Sequence, residues 1–200
     1  VSRLLFNFYN GFHARIGWTV FVKGRYTMAK TAAERAYELG KEYEKTYVGC
    51  SQCVIAALQD ALNIRNDDVF KAATGLAGGG GGAIDGSCGS YVGGILVLGL
   101  LLGRERDKFD DFESIAPDSR AFKLFRKFRD KYIQEYGSVV CRNIQTKVLG
   151  RPYYLVDPDE FKKLEAAGGH GDKGCPDVVG KAARWMAEII LEENLLQHPT

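Results

Sequence analysis

Between positions 29 and 62 the apolar residues return every three or four places. In AKTAAERAYELGKEYEKTY, residues 29–47, Ala33, Tyr37 and Tyr43 stand among charged neighbours at helical spacing, which predicts an amphipathic first helix. Val48-Gly49 interrupts it. SQCVIAALQDAL, residues 51–62, then puts Val54, Ile55, Leu58 and Leu62 on one face, with Cys50 at its start. Asn66 or Asp67 is placed to cap a short helix, DVFKAAT, before a glycine-rich run over residues 75–87 in which no helix or strand is expected.

The second half repeats this punctuation. Residues 89–103 are apolar all the way round, which predicts a central helix covered on every side. After a charged linker, 104–118, residues 119–136 carry Phe122, Phe125, Phe128 and Tyr132 at steps of three and four. Gly137 ends that helix and Ser138 is placed to cap the next, 139–149, which carries Cys141 in its first turn. Pro158 opens a short helix closed by Gly168-Gly169, and Cys175-Pro176-Asp177 precedes a last one with Val178, Val179, Ala182, Trp185, Met186, Ile189 and Ile190 as its stripe. No segment alternates as a strand does. The expected fold is all-α, a single-domain bundle of about six to eight helices around the apolar helix 89–103, with cysteines at helix N-termini.

Composition changes this picture in one place. Residues 1–27 carry Arg3, Arg15, Lys23 and Arg25, no acidic residue and seven aromatic ones, without a regular period. They are read as an extension outside the fold, with the helical domain spanning 28–200. A formal charge of +2 gives no field that calls for nucleic acid. The longest apolar run, 91–103, is interrupted by four glycines and is too short for the roughly 20 residues that cross a membrane. No nucleic-acid partner and no membrane insertion are expected; the location expected is cytoplasmic, and the oligomeric state and the redox partner protein are left open.

The chemistry lies in the five cysteines. Cys50, Cys88 and Cys175 fall at predicted helix starts and Cys141 in a first turn, where partial positive charge and free N–H groups stabilise a thiolate, the form that binds metal or attacks sulfur. Cys53 lies one turn beyond Cys50, so both sulfurs could face one point. The glycine run, with Gly79, Gly80 and Gly86, is read as a wall of the same site, where backbone can approach a bound group closely. It is not a phosphate loop: no strand precedes it, and no Gly-Lys-Ser/Thr follows. His170, five residues before Cys175 in a glycine-rich loop, is a further candidate ligand, whereas His13 and His198 fall in tails. Asp177 is read as a helix cap and Asp85 as a contact behind the site.

With these residues the chain resembles the redox-active proteins named for their C, GCAxxG, C, C cysteine pattern. Cys50 in Gly-Cys-Ser-Gln-Cys-Val matches the first cysteine, Cys88-Gly89-Ser90-Tyr91-Val92-Gly93 the C-G-A-x-x-G element, and Cys141 and Cys175 the last two. Ser90 stands where that pattern has Ala, Ser87 where it has Gly, and Cys53 is an additional thiol. A similar module accompanies a haem domain in split-Soret cytochromes, where it is associated with non-haem iron. Here Val54 follows Cys53, so the C-x-x-C-H of covalent haem is absent.

Residues and resemblance together favour a redox protein holding an iron–sulfur cluster of unspecified type through Cys88, Cys141, Cys175 and one or both of Cys50 and Cys53. A thiol/disulfide oxidoreductase using Cys50 and Cys53 as catalytic pair is the alternative, and a structural zinc module with cysteine ligands the third reading. Cys88 is expected to be the least replaceable cysteine, with the glycine-loop N–H groups reaching its sulfur, and Cys50 and Cys53 to be interchangeable.

Overall fold

A computed structural model describes residues 32–197, and the 1–27 extension lies outside them. Eight α-helices occur among the described residues: α1 (32–47), α2 (Cys50–Leu62), α3 (Asp67–Ala72), α4 (Gly89–Leu102), α5 (Arg120–Tyr136), α6 (Cys141–Leu149), α7 (Pro158–Ala166) and α8 (Cys175–Glu192). The expected all-α class holds, with a single backbone bridge between Ser87 and Val140 in place of any strand among the described residues.

Most boundaries follow the local chemistry. Asn66 accepts a hydrogen bond from Val69 N (2.9 Å) at the start of α3, Ser119 accepts from Phe122 N at the start of α5, and Asp157 caps α7 ahead of Pro158. Gly137 ends α5 with φ +73°. Ser138 sits three residues before α6 and accepts from Val140 N (3.1 Å), so it fixes the approach to the helix instead of capping it. The glycine run opens on short 3-10 turns within Thr74–Gly79 that are broken by a kink at Ala77 and Gly78, whose φ/ψ are not helical.

Close packing depends on glycine at two crossings. A Cβ on Gly93 of α4 would lie 2.5 Å from Ser51 O and 2.6 Å from Val54 Cγ1, so its absence lets α2 and α4 meet almost backbone to backbone. A Cβ on Gly180 would lie 2.8 Å from Tyr37 Cδ2, and Gly40 faces the same stretch of α8 from α1. α8 lies deepest, with Val179, Ala182, Ala183, Met186, Ala187, Ile189 and Ile190 fully buried.

Two expectations about buried faces are corrected. α4 is not covered on every side: Gly89, Ser90, Gly93, Gly94, Val97 and Leu98 are buried under α2, α5 and α8, while Leu100 on the opposite face is 42% exposed. Uniform apolarity hid a glycine-rich contact face, because glycine contributes no side chain to the pattern. In α5 the buried row is Leu124, Phe128, Tyr132 and Tyr136, whereas Phe122 points outward.

The Gly180 crossing makes a stability test. Gly180→Leu should destabilise the fold by about 1–3 kcal/mol through overpacking against Tyr37. Urea denaturation should show the midpoint falling; an unchanged midpoint would mean that α1 does not rest on α8.

A cysteine cavity at four helix starts

Four helices begin at one place. Cys50, Cys141 and Cys175 are the first residues of α2, α6 and α8, and Cys88 is the residue before the first turn of α4. All four line a single cavity of about 270 Å³, together with Glu44, His170 and an apolar wall that includes Ile144, Leu155 and Phe161. The positive ends of four helix dipoles therefore point at the same volume.

Backbone bonds fix the sulfurs relative to one another. Cys88 N donates to Val139 O (2.7 Å), Cys141 N to Gly86 O (3.0 Å) and Arg142 N to Ile84 O (2.9 Å), stitching the glycine loop between α4 and α6. Cys175 N donates to Gly169 O (2.8 Å). Cys50 is seated by an absence: a Cβ on Gly89 would overlap its Sγ.

The glycine loop serves the cavity differently from the expectation. The N–H groups of Gly80, Gly81, Gly82, Ala83, Ile84 and Gly86 all donate to carbonyls within the loop, so they form no open anion nest. Gly78, Gly81 and Gly82 line the cavity; Gly79, Gly80 and Gly86 are not in its wall. Gly79, at φ +76°, supports it from behind, since a Cβ there would lie 2.8 Å from Cys141 Cβ, while Gly86 abuts the Gly79 carbonyl and Gly80 faces open space. The one loop N–H that reaches a sulfur is that of Gly78, and the sulfur is Cys50, not Cys88. Cys88 Sγ instead sits 3.2 Å from Ser90 Oγ, and the nearby backbone N–H groups of Ser90 and Tyr91 favour its charged form.

Cys53 parts company with Cys50. It is buried outside the cavity lining, with its Sγ 3.6 Å from Val48 O and its thiol beside the Glu44 carboxylate. One helical turn separates the two cysteines along the axis and also carries them to different surroundings. All five cysteines are free thiols.

His170 does line the cavity, as its loop position suggested, but carboxylates flank both ring nitrogens: Nδ1 contacts Glu165 Oε1 and Nε2 lies 3.8 Å from Glu44 Oε1. Asp177 accepts from Tyr37 OH (2.7 Å) and pairs with Lys181 (2.9 Å) instead of capping α8, so it clasps α1 to α8. Among the described residues no three His, Cys, Asp or Glu side chains close on the position of a single metal ion.

Four further residues of the site were not read from the sequence as site residues. Glu44, on an otherwise ordinary amphipathic helix, is 2% exposed, and its Oε2 has no hydrogen-bond partner among the described residues. Burial pushes its carboxyl up to about 7, against the opposing pull of Cys53 and His170. Ser90 and Tyr132, both fully buried, are joined at 2.8 Å behind Cys88. Gln145 reaches toward Cys141 Sγ (3.9 Å) and accepts from Tyr153 N (2.7 Å). Two hints existed: the place of Ser90 two residues after Cys88, and the helical offset of Tyr132 from the core residue Phe128.

Burial dominates the thiols. It pushes Cys50 and Cys175 well above the ordinary thiol range, raises Cys88 against its hydrogen bonds, and pushes Cys141 up to about 12. The helix starts thus do not by themselves lower these thiols, contrary to expectation, because desolvation outweighs the dipoles.

Residues 48–189 match the family model described as "Putative redox-active protein (C_GCAxxG_C_C)". The chain belongs to this family. No curated protein and no solved structure matches it. In this chain the glycine after Cys88 makes room for the Cys50 sulfur, and Gly93, one turn later, lets α2 close on α4.

Two predictions follow from these contacts. Gly79→Val and Gly80→Val both strain a positive φ by roughly 1–2 kcal/mol, but only the Gly79 variant should push Cys141 aside, seen as faster alkylation of Cys141 by mass spectrometry. Equal rates in the two variants would contradict this. Glu44 holds its proton more tightly folded than unfolded, so stability should fall as pH rises from the ordinary carboxyl range through about 7. Glu44→Gln should therefore raise stability at alkaline pH, by an amount of order 3 kcal/mol, and give no gain in acid; urea titrations at both pH values test the sign.

Proposed function

We propose that this redox-family protein holds an iron–sulfur cluster through Cys50, Cys88, Cys141 and Cys175 and serves in electron transfer or as a redox accessory protein. The observation that carries this reading is the convergence of four cysteine-bearing helix starts on one cavity. Four thiolates around a cluster are strongly anionic, and four dipole ends compensate that charge inside a dry wall. When bound, such a cluster supplies reversible one-electron chemistry; the chain holds it, shields it and sets its surroundings. Cys53 and His170 stand outside the proposed ligand set. Free thiols suit a reducing compartment, in keeping with a cytoplasmic location.

The zinc and dithiol readings draw less support. A structural zinc site needs four ligands on one point, and the Cys50–Cys53 pair is divided between the cavity and the space beneath Val48.

Serine variants prepared without oxygen test the assignment. Cys50→Ser, Cys88→Ser, Cys141→Ser and Cys175→Ser should each lose most of the iron and acid-labile sulfide, while Cys53→Ser keeps both. Equal loss in Cys53→Ser and Cys50→Ser, or a wild-type protein that takes up no iron on reconstitution, would sink it. Because burial raises all four thiols, they must release protons to bind, so reconstitution should become slower and less complete as pH falls.

A further inference from the structure

Cys88 is the best-donated sulfur of the cavity. Cys50 accepts one backbone N–H, from Gly78, and Cys141 faces a side-chain amide at 3.9 Å. Cys88 alone faces a buried hydroxyl: Ser90 Oγ lies 3.2 Å from its Sγ and 2.8 Å from Tyr132 OH. Ser90 and Tyr132 are both fully buried, so no water competes for the chain they form.

The direction of that chain is fixed once Cys88 is a thiolate. A thiolate only accepts, so the single Ser90 proton must point at Cys88 Sγ, and the Ser90 oxygen then accepts from Tyr132. Tyr132 retains its proton, since full burial raises it well above the ordinary phenol range. It has no other hydrogen-bond partner among the described residues. Its ring is locked between Tyr91, Phe128, Tyr136 and Trp185 at centroid distances of 5.2–5.6 Å, which aims the hydroxyl. A donor polarised by a second donor is a stronger one, more so at low dielectric.

We propose that the Tyr132–Ser90–Cys88 hydrogen-bond chain is a potential-setting device, which favours the reduced form of the redox centre by stabilising negative charge at the Cys88 sulfur. The inference rests on the assignment of Cys88 as a ligand and adds Ser90 and Tyr132 as positioning residues. In the step concerned, one electron from an external one-electron donor enters the centre; no proton moves, no bond breaks, and the chain's polarity is unchanged. Hydrogen bonds to cluster sulfur are among the factors that set such potentials. The effect is graded: removing Ser90 Oγ takes away the direct donor, whereas removing Tyr132 OH leaves the serine donor in place but unpolarised.

The test compares wild type, Ser90→Ala and Tyr132→Phe. Iron and sulfide are measured first, to establish equal loading, and midpoint potentials are then taken by anaerobic titration. Ser90→Ala should shift to a lower potential, Tyr132→Phe should shift the same way by less, and circular dichroism should be unchanged. Equal potentials at equal loading overturn the device while leaving the cluster assignment standing. Metal-free protein provides a second arm that needs no cluster: the rate of Cys88 alkylation by iodoacetamide at fixed alkaline pH, followed on its own peptide. Loss of the hydroxyl should lower the thiolate fraction and hence that rate roughly tenfold in Ser90→Ala, with Cys50 unaffected; an unchanged Cys88 rate overturns the proposal whether or not iron binds. Wild type without iron, but with the alkylation difference present, would sink the cluster reading and retain the hydrogen-bond chain.

Discussion

The contact of the Cys50 sulfur with the bare α-carbon of Gly89 decides how closely α2 and α4 can approach at the cavity. A methyl group at position 89 would occupy the place of that sulfur, and one at position 93 would meet the carbonyl of Ser51. The two helices therefore cross through glycines, with a cysteine at the start of each. α8 packs against both, and the backbone stitch from the glycine loop brings α6 to the same end. The site follows from helix packing as much as from the cysteines themselves.

That arrangement opposes two electrostatic effects. Helix starts favour negative charge, while burial disfavours it, and burial prevails for each of the four thiols. The iron–sulfur centre proposed above would resolve the conflict, because it would supply the positive charge that makes four thiolates tolerable in a dry cavity. The glycine loop contributes shape more than charge: its own carbonyls use most of its N–H groups, and its residues at positive φ bend it around the Cys141 side of the cavity.

Much of this was legible in the chain. Helical periodicity, the Asn66 and Ser119 caps and the Pro158 start gave the elements, and the recurrence of cysteine at helix starts gave four of the cavity's lining residues. The buried face of α4 was not legible, because Gly89, Gly93 and Gly94 carry no side chain to register in a hydrophobic pattern, yet they make its contacts. Nor was the divergence of Cys50 and Cys53, since spacing along a helix does not say which neighbours each thiol meets. Glu44 looked like one more solvated charge on an amphipathic surface; its burial beside Cys53 and the His170 loop is a tertiary effect that helical spacing does not register. The role of Gly79 was anticipated as a wall and found as a buttress one layer back.

The cavity draws on almost the whole described chain, from Cys50 near its beginning to Cys175 on its last α-helix. Its closure is consequently a long-range event. Local helices form quickly, but bringing residues more than a hundred positions apart to one point carries the loop-closure entropy of everything between them. During synthesis the first three sulfurs emerge well before the fourth, and until α8 docks on α1 through Gly180 and Asp177 the cavity stands open on that side. Closure of the cavity is thereby tied to completion of the fold, so that a chain truncated before α8 lacks both the Cys175 thiol and the helix that completes the wall.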